Sequence, residues 1–154
     1  MSVMNKKESP EKLKQVAFPR SACNIGRTTW GVFFIVSSII NLIVTLPNPT
    51  FYQEFAELTF FSFYQSLLLN IAFPNAYLIT SIVIVFEFCV GLMVLWRGNA
   101  VRLGLLGTAL WVLFICPAMG WYTIFSPVLL VIPWWLLRFE YEQSLLALFQ
   151  SKVI

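Results

Sequence analysis

YLITSIVIVFEFCVGLMVLWRGNAVR, residues 77–102, is the stretch that decides the fold. From Tyr77 to Trp96 it is an apolar run with a single charge, Glu87, near its midpoint. At about 1.5 Å of rise per residue such a run crosses a hydrocarbon layer of about 30 Å, and Glu87 falls about 15 Å from either end. A carboxylate at that depth cannot snorkel to an interface. It costs roughly 2.5 to 3.5 kcal/mol on insertion scales, so it must be neutral, partnered or turned toward a polar interior.

Outward from this stretch the composition gives the class. With 59% hydrophobic and only 11% charged residues in 154, the chain is too apolar for a soluble domain and reads as an all-α integral membrane protein. Trp30 to Leu46 is a second apolar stretch. The charge-free run from Leu103 to Leu137 would be about 52 Å long as one helix, so it divides, near Pro117 to Tyr122, into two. Four spans result. The expected architecture is a four-helix transmembrane bundle over residues 28–138, preceded by a flexible cytoplasmic arm (1–27) and followed by an amphipathic cytoplasmic tail (139–154). Span four, with Pro127 and Pro133, is expected to kink rather than break.

Charge sets the orientation. All ten Lys and Arg precede span one, lie between spans two and three, or follow span four. Arg27, Arg97, Arg102 and Arg138 flank the spans on that side. The positive-inside rule therefore puts both termini in the cytoplasm, most simply at a prokaryotic cytoplasmic (inner) membrane; an organellar inner membrane or a thylakoid fits the same pattern. Bases that flank spans do not form a nucleic-acid surface. Trp96, Trp121, Tyr122, Trp134 and Trp135 fit an aromatic belt at the two interfaces.

Between spans one and two, residues 50–73 mix Gln53, Glu54 and Glu57 with Phe51, Tyr52, Phe55, Phe60, Phe61, Phe63 and Tyr64. This composition predicts an interfacial amphipathic helix on the outer face. As an aromatic anchor it seats the bundle; as a docking surface it covers the outer mouth.

Catalytic equipment is sparse. The chain has no His and three scattered Cys, which removes the usual metal and haem ligands and the neutral-pH acid–base residue. No metal site is expected, and no cofactor bound through this chain other than a quinone or lipid. Ser37, Ser38, Asn41 and Thr45 share one face of span one, Thr80, Glu87, Gly91 and Gly98 one face of span two, and Gly104, Gly107, Thr108 and Trp111 one face of span three. The glycines let backbones approach closely. Counting turns puts Ser37, Ser38 and Thr108 at the level of Glu87, with Asn41 and Trp111 one turn further out. The expected polar site is this set around Glu87.

The run Glu87-x-x-x-Gly91-x-x-x-Leu95-x-x-Gly98-x-x-x-Arg102 resembles the DoxX-like family of small four-span membrane proteins. Gly26-Arg27 and Gly31, then Asn41, Pro49 and Phe55-Ala56, are similar to that family's first span and following segment. The resemblance covers roughly Arg27 to Arg138, with a shorter turn here between spans three and four. It implies matching positions for Glu87, Gly91, Gly98 and Arg102. Some members are associated with quinone-linked oxidation of sulfur compounds or redox-stress complexes, others with assembly.

Three functions follow as expectations. The first is a non-catalytic subunit or accessory protein of a larger membrane complex, with membrane lipids and other subunits or its own copies as partners. The second is a quinone-interacting component of an oxidoreductase, with Glu87 exchanging a proton and Phe86 and Trp111 lining a slot. The third is a small-solute or proton transporter.

Overall fold

The computed structural model describes residues 20–118, 120 and 126–141, and these form six helices and no strand. Helix α1 spans Arg20–Ile40 and runs on through a π-helical turn, Asn41–Thr45. Pro47 and Pro49 then prevent its continuation. Short helices α2 (Phe51–Leu58) and α3 (Ser62–Leu67) follow, the latter extended by a second π-helical turn, Leu68–Ala72. Helix α4 is Ala76–Leu95, α5 is Asn99–Ile115 and α6 is Ser126–Leu136.

Three segments are long and apolar enough to cross a membrane: Ala22–Thr45, Ala76–Leu95 and Asn99–Ala118. Helix α6 is apolar but has 11 residues. Its described length is about 16 Å, half of a hydrocarbon core, and residues 121–125 before it lie outside the described part, as do Trp121 and Tyr122 of the expected belt. Pro127 sits in its first turn, where a missing N–H costs nothing, and helix continues past Pro133, whose carbonyl accepts from Leu137 N at 2.9 Å.

The four longest helices close a ring: α1 against α4, α4 against α5, α5 against α6, and α6 back against α1. The α1–α4 interface is the largest. A Cβ added at Gly91 would stand 3.0 Å from the Gly31 carbonyl oxygen and 2.8 Å from Ile35, so the two backbones touch there. Gly104 does the same for α5, where a Cβ would meet Val94 N at 2.9 Å. Trp30, Phe34, Val90, Val94, Val101 and Leu105 fill the space between. A second cluster, Ala56, Leu68, Ala72 and Ala118, seats α2 and α3 on the opposite end of the ring, aided by Thr59 Oγ1 donating to Pro117 O at 3.0 Å.

Several boundaries differ from expectation. Residues 20–27, assigned to the arm because they are basic, are the first two turns of α1, while residues 1–19 of that arm lie outside the described part. Cys23, Arg27, Trp30 and Phe34 recur at helical spacing and are all buried. Arg27 has no exposed surface at all, its guanidinium lying 4.7 Å over the Tyr141 ring. Tyr141, expected on a surface tail, is 7% exposed, donates its hydroxyl to Leu136 O and accepts Gly98 N at 2.6 Å through its carbonyl. The rest of the tail, residues 142–154, lies outside the described part. Gly98 turns the chain between α4 and α5 at φ 59°, a conformation that side-chain-bearing residues avoid. The single interfacial helix expected over residues 50–73 is two helices, broken where Thr59 and Phe61 are extended.

These contacts give the ring two distinct ends. Arg97, Arg102 and Arg138 are exposed at the end that Gly98 and Tyr141 close, with Arg102 paired to Glu140 at 3.4 Å. Helices α2 and α3 occupy the other.

Candidate functional site: a carboxylate shared by three helices

Glu87 is 6% exposed, in the middle of α4. Its Oε2 accepts from Asn41 Nδ2 at 2.8 Å, and its Oε1 accepts from Trp111 Nε1 at 3.2 Å. One residue on α4 thus ties α1 to α5. Asn41 is itself oriented by Thr45 Oγ1, which donates to Asn41 Oδ1 at 2.8 Å. Trp111 is held by its rings' neighbours, Phe86 at 5.4 Å and Phe114 at 6.3 Å between centroids.

Local sequence explains the meeting. Gly91, one turn from Glu87, brings the α1 backbone in, and Gly104 and Gly107 bring in α5: a Cβ on Gly107 would stand 3.1 Å from Val90. Asn41 opens the π-helical turn, in which Leu46 N reaches back to Asn41 O at 2.8 Å. Such wide turns inside helices recur at functional sites.

The partners expected at the level of Glu87 are used elsewhere. Ser38 Oγ donates to the Ile84 carbonyl at 2.9 Å. Thr108 Oγ1 donates to Leu105 O at 2.8 Å and accepts from Trp30 Nε1 at 3.0 Å. Ser37 is half-buried. The reason lies in the direction of side chains on a helix, which lean toward the N-terminus. Glu87 therefore reaches toward the α2 and α3 end, whereas Asn41 and Trp111, on helices of opposite direction, lean back to meet it. The pair expected one turn out is the pair in contact.

Two further polar contacts were not expected. Trp30 reads in sequence only as the start of an apolar stretch, yet its indole N–H donates to Thr108 Oγ1. Tyr52 reads as an interfacial aromatic, yet its hydroxyl lies 2.9 Å from Thr80 Oγ1, a residue 2% exposed. Burial pushes the Tyr52 phenol upward from its ordinary range, with the Thr80 bond opposing. At the other end burial pushes Tyr141 up to about 12, against the pull of Arg27.

Chemically, the centre offers one acid, one amide, one hydroxyl and one indole N–H. Among the described residues no three His, Cys, Asp or Glu side chains come together as a metal-binding group, and the three cysteines form no disulfide. An open hollow of about 210 Å³ lies away from Glu87, at the Gly98 end, lined by Gly98, Asn99, Arg102, Glu140 and Tyr141. Comparison of the chain with protein-family models, with curated proteins and with solved structures finds no match.

Proposed function

We propose that this chain is a non-catalytic integral membrane subunit or accessory protein of a larger membrane complex, in which Glu87 fastens the bundle. The observation that carries the reading is that both carboxylate oxygens are engaged by neighbouring helices, Oε2 by Asn41 and Oε1 by Trp111. A carboxylate used in this way acts as a joint.

In this reading α6 belongs to a fourth span, and α2 and α3 form the interfacial element at the outer surface. Their exposed Phe60, Phe61 and Phe63 suit an acyl–headgroup boundary, beside exposed Gln65 and Ser66. The end bearing Arg97, Arg102 and Arg138 faces the cytoplasm of a prokaryotic inner membrane. The similarity of the Glu87 to Arg102 run to DoxX-like proteins supports an assembly or redox-linked setting.

Mild detergent extraction of the full chain from its native membrane, followed by mass spectrometry of what accompanies it, tests the proposal. Membrane proteins at fixed stoichiometry are the expected result. A chain recovered alone with bound quinone overturns it in favour of a quinone-interacting component, and proton or solute flux in liposomes that Glu87→Gln abolishes overturns it in favour of a transporter.

A further inference from the structure

Glu87, Asn41 and Thr45 form a chain of hydrogen bonds whose direction is reversible. As arranged, Thr45 Oγ1 donates to Asn41 Oδ1, and Asn41 Nδ2 donates to Glu87 Oε2. An amide has a donor end and an acceptor end, and a hydroxyl serves as either. Turning the Asn41 amide over would therefore present Oδ1 to Glu87 and Nδ2 to Thr45, keeping both bonds with their directions exchanged. Such an arrangement accepts a hydrogen bond from a carboxylic acid as readily as the present one donates to a carboxylate. Trp111 has no such freedom, since an indole nitrogen only donates. It holds Oε1 in the accepting role in both states.

We propose that Glu87 is a proton-binding site built to hold either charge state: a proton delivered by hydronium from solvent bonds to Oε2, and the Asn41 amide turns over while the Trp111 bond stays. The step is balanced, since hydronium gives up one proton, leaving water, and the carboxylate becomes a carboxylic acid. This goes beyond the accessory reading and does not depend on it.

The surroundings agree. From α1 the groups facing Glu87 are Asn41 and, behind it, Thr45; from α5 it is Trp111. Among the described residues no Lys, Arg or second acid pairs with it, and Arg102 and Glu140 pair with each other. Cys89, two residues along α4, is exposed on the opposite side, and Tyr52 lies two turns away at Thr80. Toward the Gly98 turn the buried side chains of α4 are Val90 and Val94, opposite Val101, Leu105 and a Thr108 whose hydroxyl is already taken by Trp30 and the Leu105 carbonyl. Toward α2 they include Thr45 and Thr80. The reversible chain thus points to the α2 and α3 end.

Infrared difference spectroscopy on the full chain in lipid nanodiscs, between acidic and alkaline buffer and with isotope-labelled Asn side chains, tests this. Acidification is expected to raise one carboxylic-acid C=O band that is lost in Glu87→Gln. One Asn amide band is expected to shift in step, and to lose that shift in both Asn41→Leu and Glu87→Gln. The Trp111 indole N–H band, assigned with Trp111→Phe, should stay hydrogen-bonded but move toward a weaker bond on acidification, because its acceptor changes from a carboxylate to a carbonyl oxygen. Where Asn41→Leu fails to fold, Asn41→Ser makes the same assignment. A Glu87 band that titrates without the Asn41 shift overturns the proposal. So does the absence of any Glu87 carboxyl band over the pH range in which circular dichroism shows the helices intact.

Discussion

The two halves of the ring, on either side of Glu87, are held by different forces. Toward the Gly98 turn, α1, α4 and α5 meet mainly through backbone contact at Gly31, Gly91 and Gly104, packed by Val94, Val101 and Leu105, each 0% exposed, with one side-chain bond, Trp30 to Thr108, between α1 and α5. Toward α2 they meet through side-chain hydrogen bonds, Asn41 to Glu87 and Trp111 to Glu87, and Tyr52 with Thr80 ties α2 itself to α4. Between helices surrounded by lipid, apolar burial supplies no net drive, so association rests on these two devices, close packing and polar bonds. The first tolerates no added atom, and the second no missing partner.

Overfilling the first half should do the most damage. Gly91→Leu places side-chain atoms where Ile35 and the Gly31 carbonyl stand and should prevent assembly, while Gly91→Ala, a single methyl, should cost about 1 to 3 kcal/mol by reversible unfolding in mixed micelles. A Gly91→Ala protein as stable as wild type would show that the α1–α4 contact gives way easily. In the second half, Glu87→Leu strands the Asn41 amide and the Trp111 indole N–H, each at about 1 to 3 kcal/mol. Glu87→Gln should stay close to wild type, because its amide both donates and accepts, and Glu87→Lys, a buried cation beside the Trp111 N–H with no carboxylate to pair it, should not accumulate. If Leu is tolerated better than Gln, the carboxylate is not the joint.

Tyr52→Phe removes one bond at the margin of that half, and its cost should be about 1 kcal/mol in the same measurement. The last effect is at the opposite end and concerns pH. Tyr141 is held at about 12 in the fold, above the ordinary value near 10, so the fold favours its neutral form. The stability this contributes is complete below about pH 10 and is lost as pH rises through 12. Tyr141→Phe should flatten that alkaline decline; an unchanged decline would place its cause elsewhere.

Three long apolar helices and the acid could be read in advance because lipid imposes strong rules: long apolar runs, and one charge where none belongs. Gly91 and Gly104 were legible for the same reason, small residues on the faces that carry Glu87 and Trp111. What escaped depends on side-chain direction. Counting 1.5 Å per residue compares backbone levels, but a Glu reaches toward its helix's N-terminus, so its partners are Asn41 and Trp111 rather than Ser38 and Thr108. Arg27 escaped because a cation beside a span reads as an orientation signal, and only Tyr141, far along the chain, reveals it as part of the packed interior. The break between α2 and α3 has no marker such as Pro or Gly; Thr59 ends α2 by turning to Pro117 O, a contact no local pattern encodes.

The clasp of Tyr141 on Gly98 and Arg27 also orders events during synthesis. A growing chain leaves the ribosome N-terminus first, so α1, α4, α5 and α6 all emerge before Tyr141 does. Until then the Tyr141 ring cannot lie over the Arg27 guanidinium, nor its carbonyl take the Gly98 N–H. The Tyr141 clasp at that end therefore closes only after α1, α4, α5 and α6 have all been made.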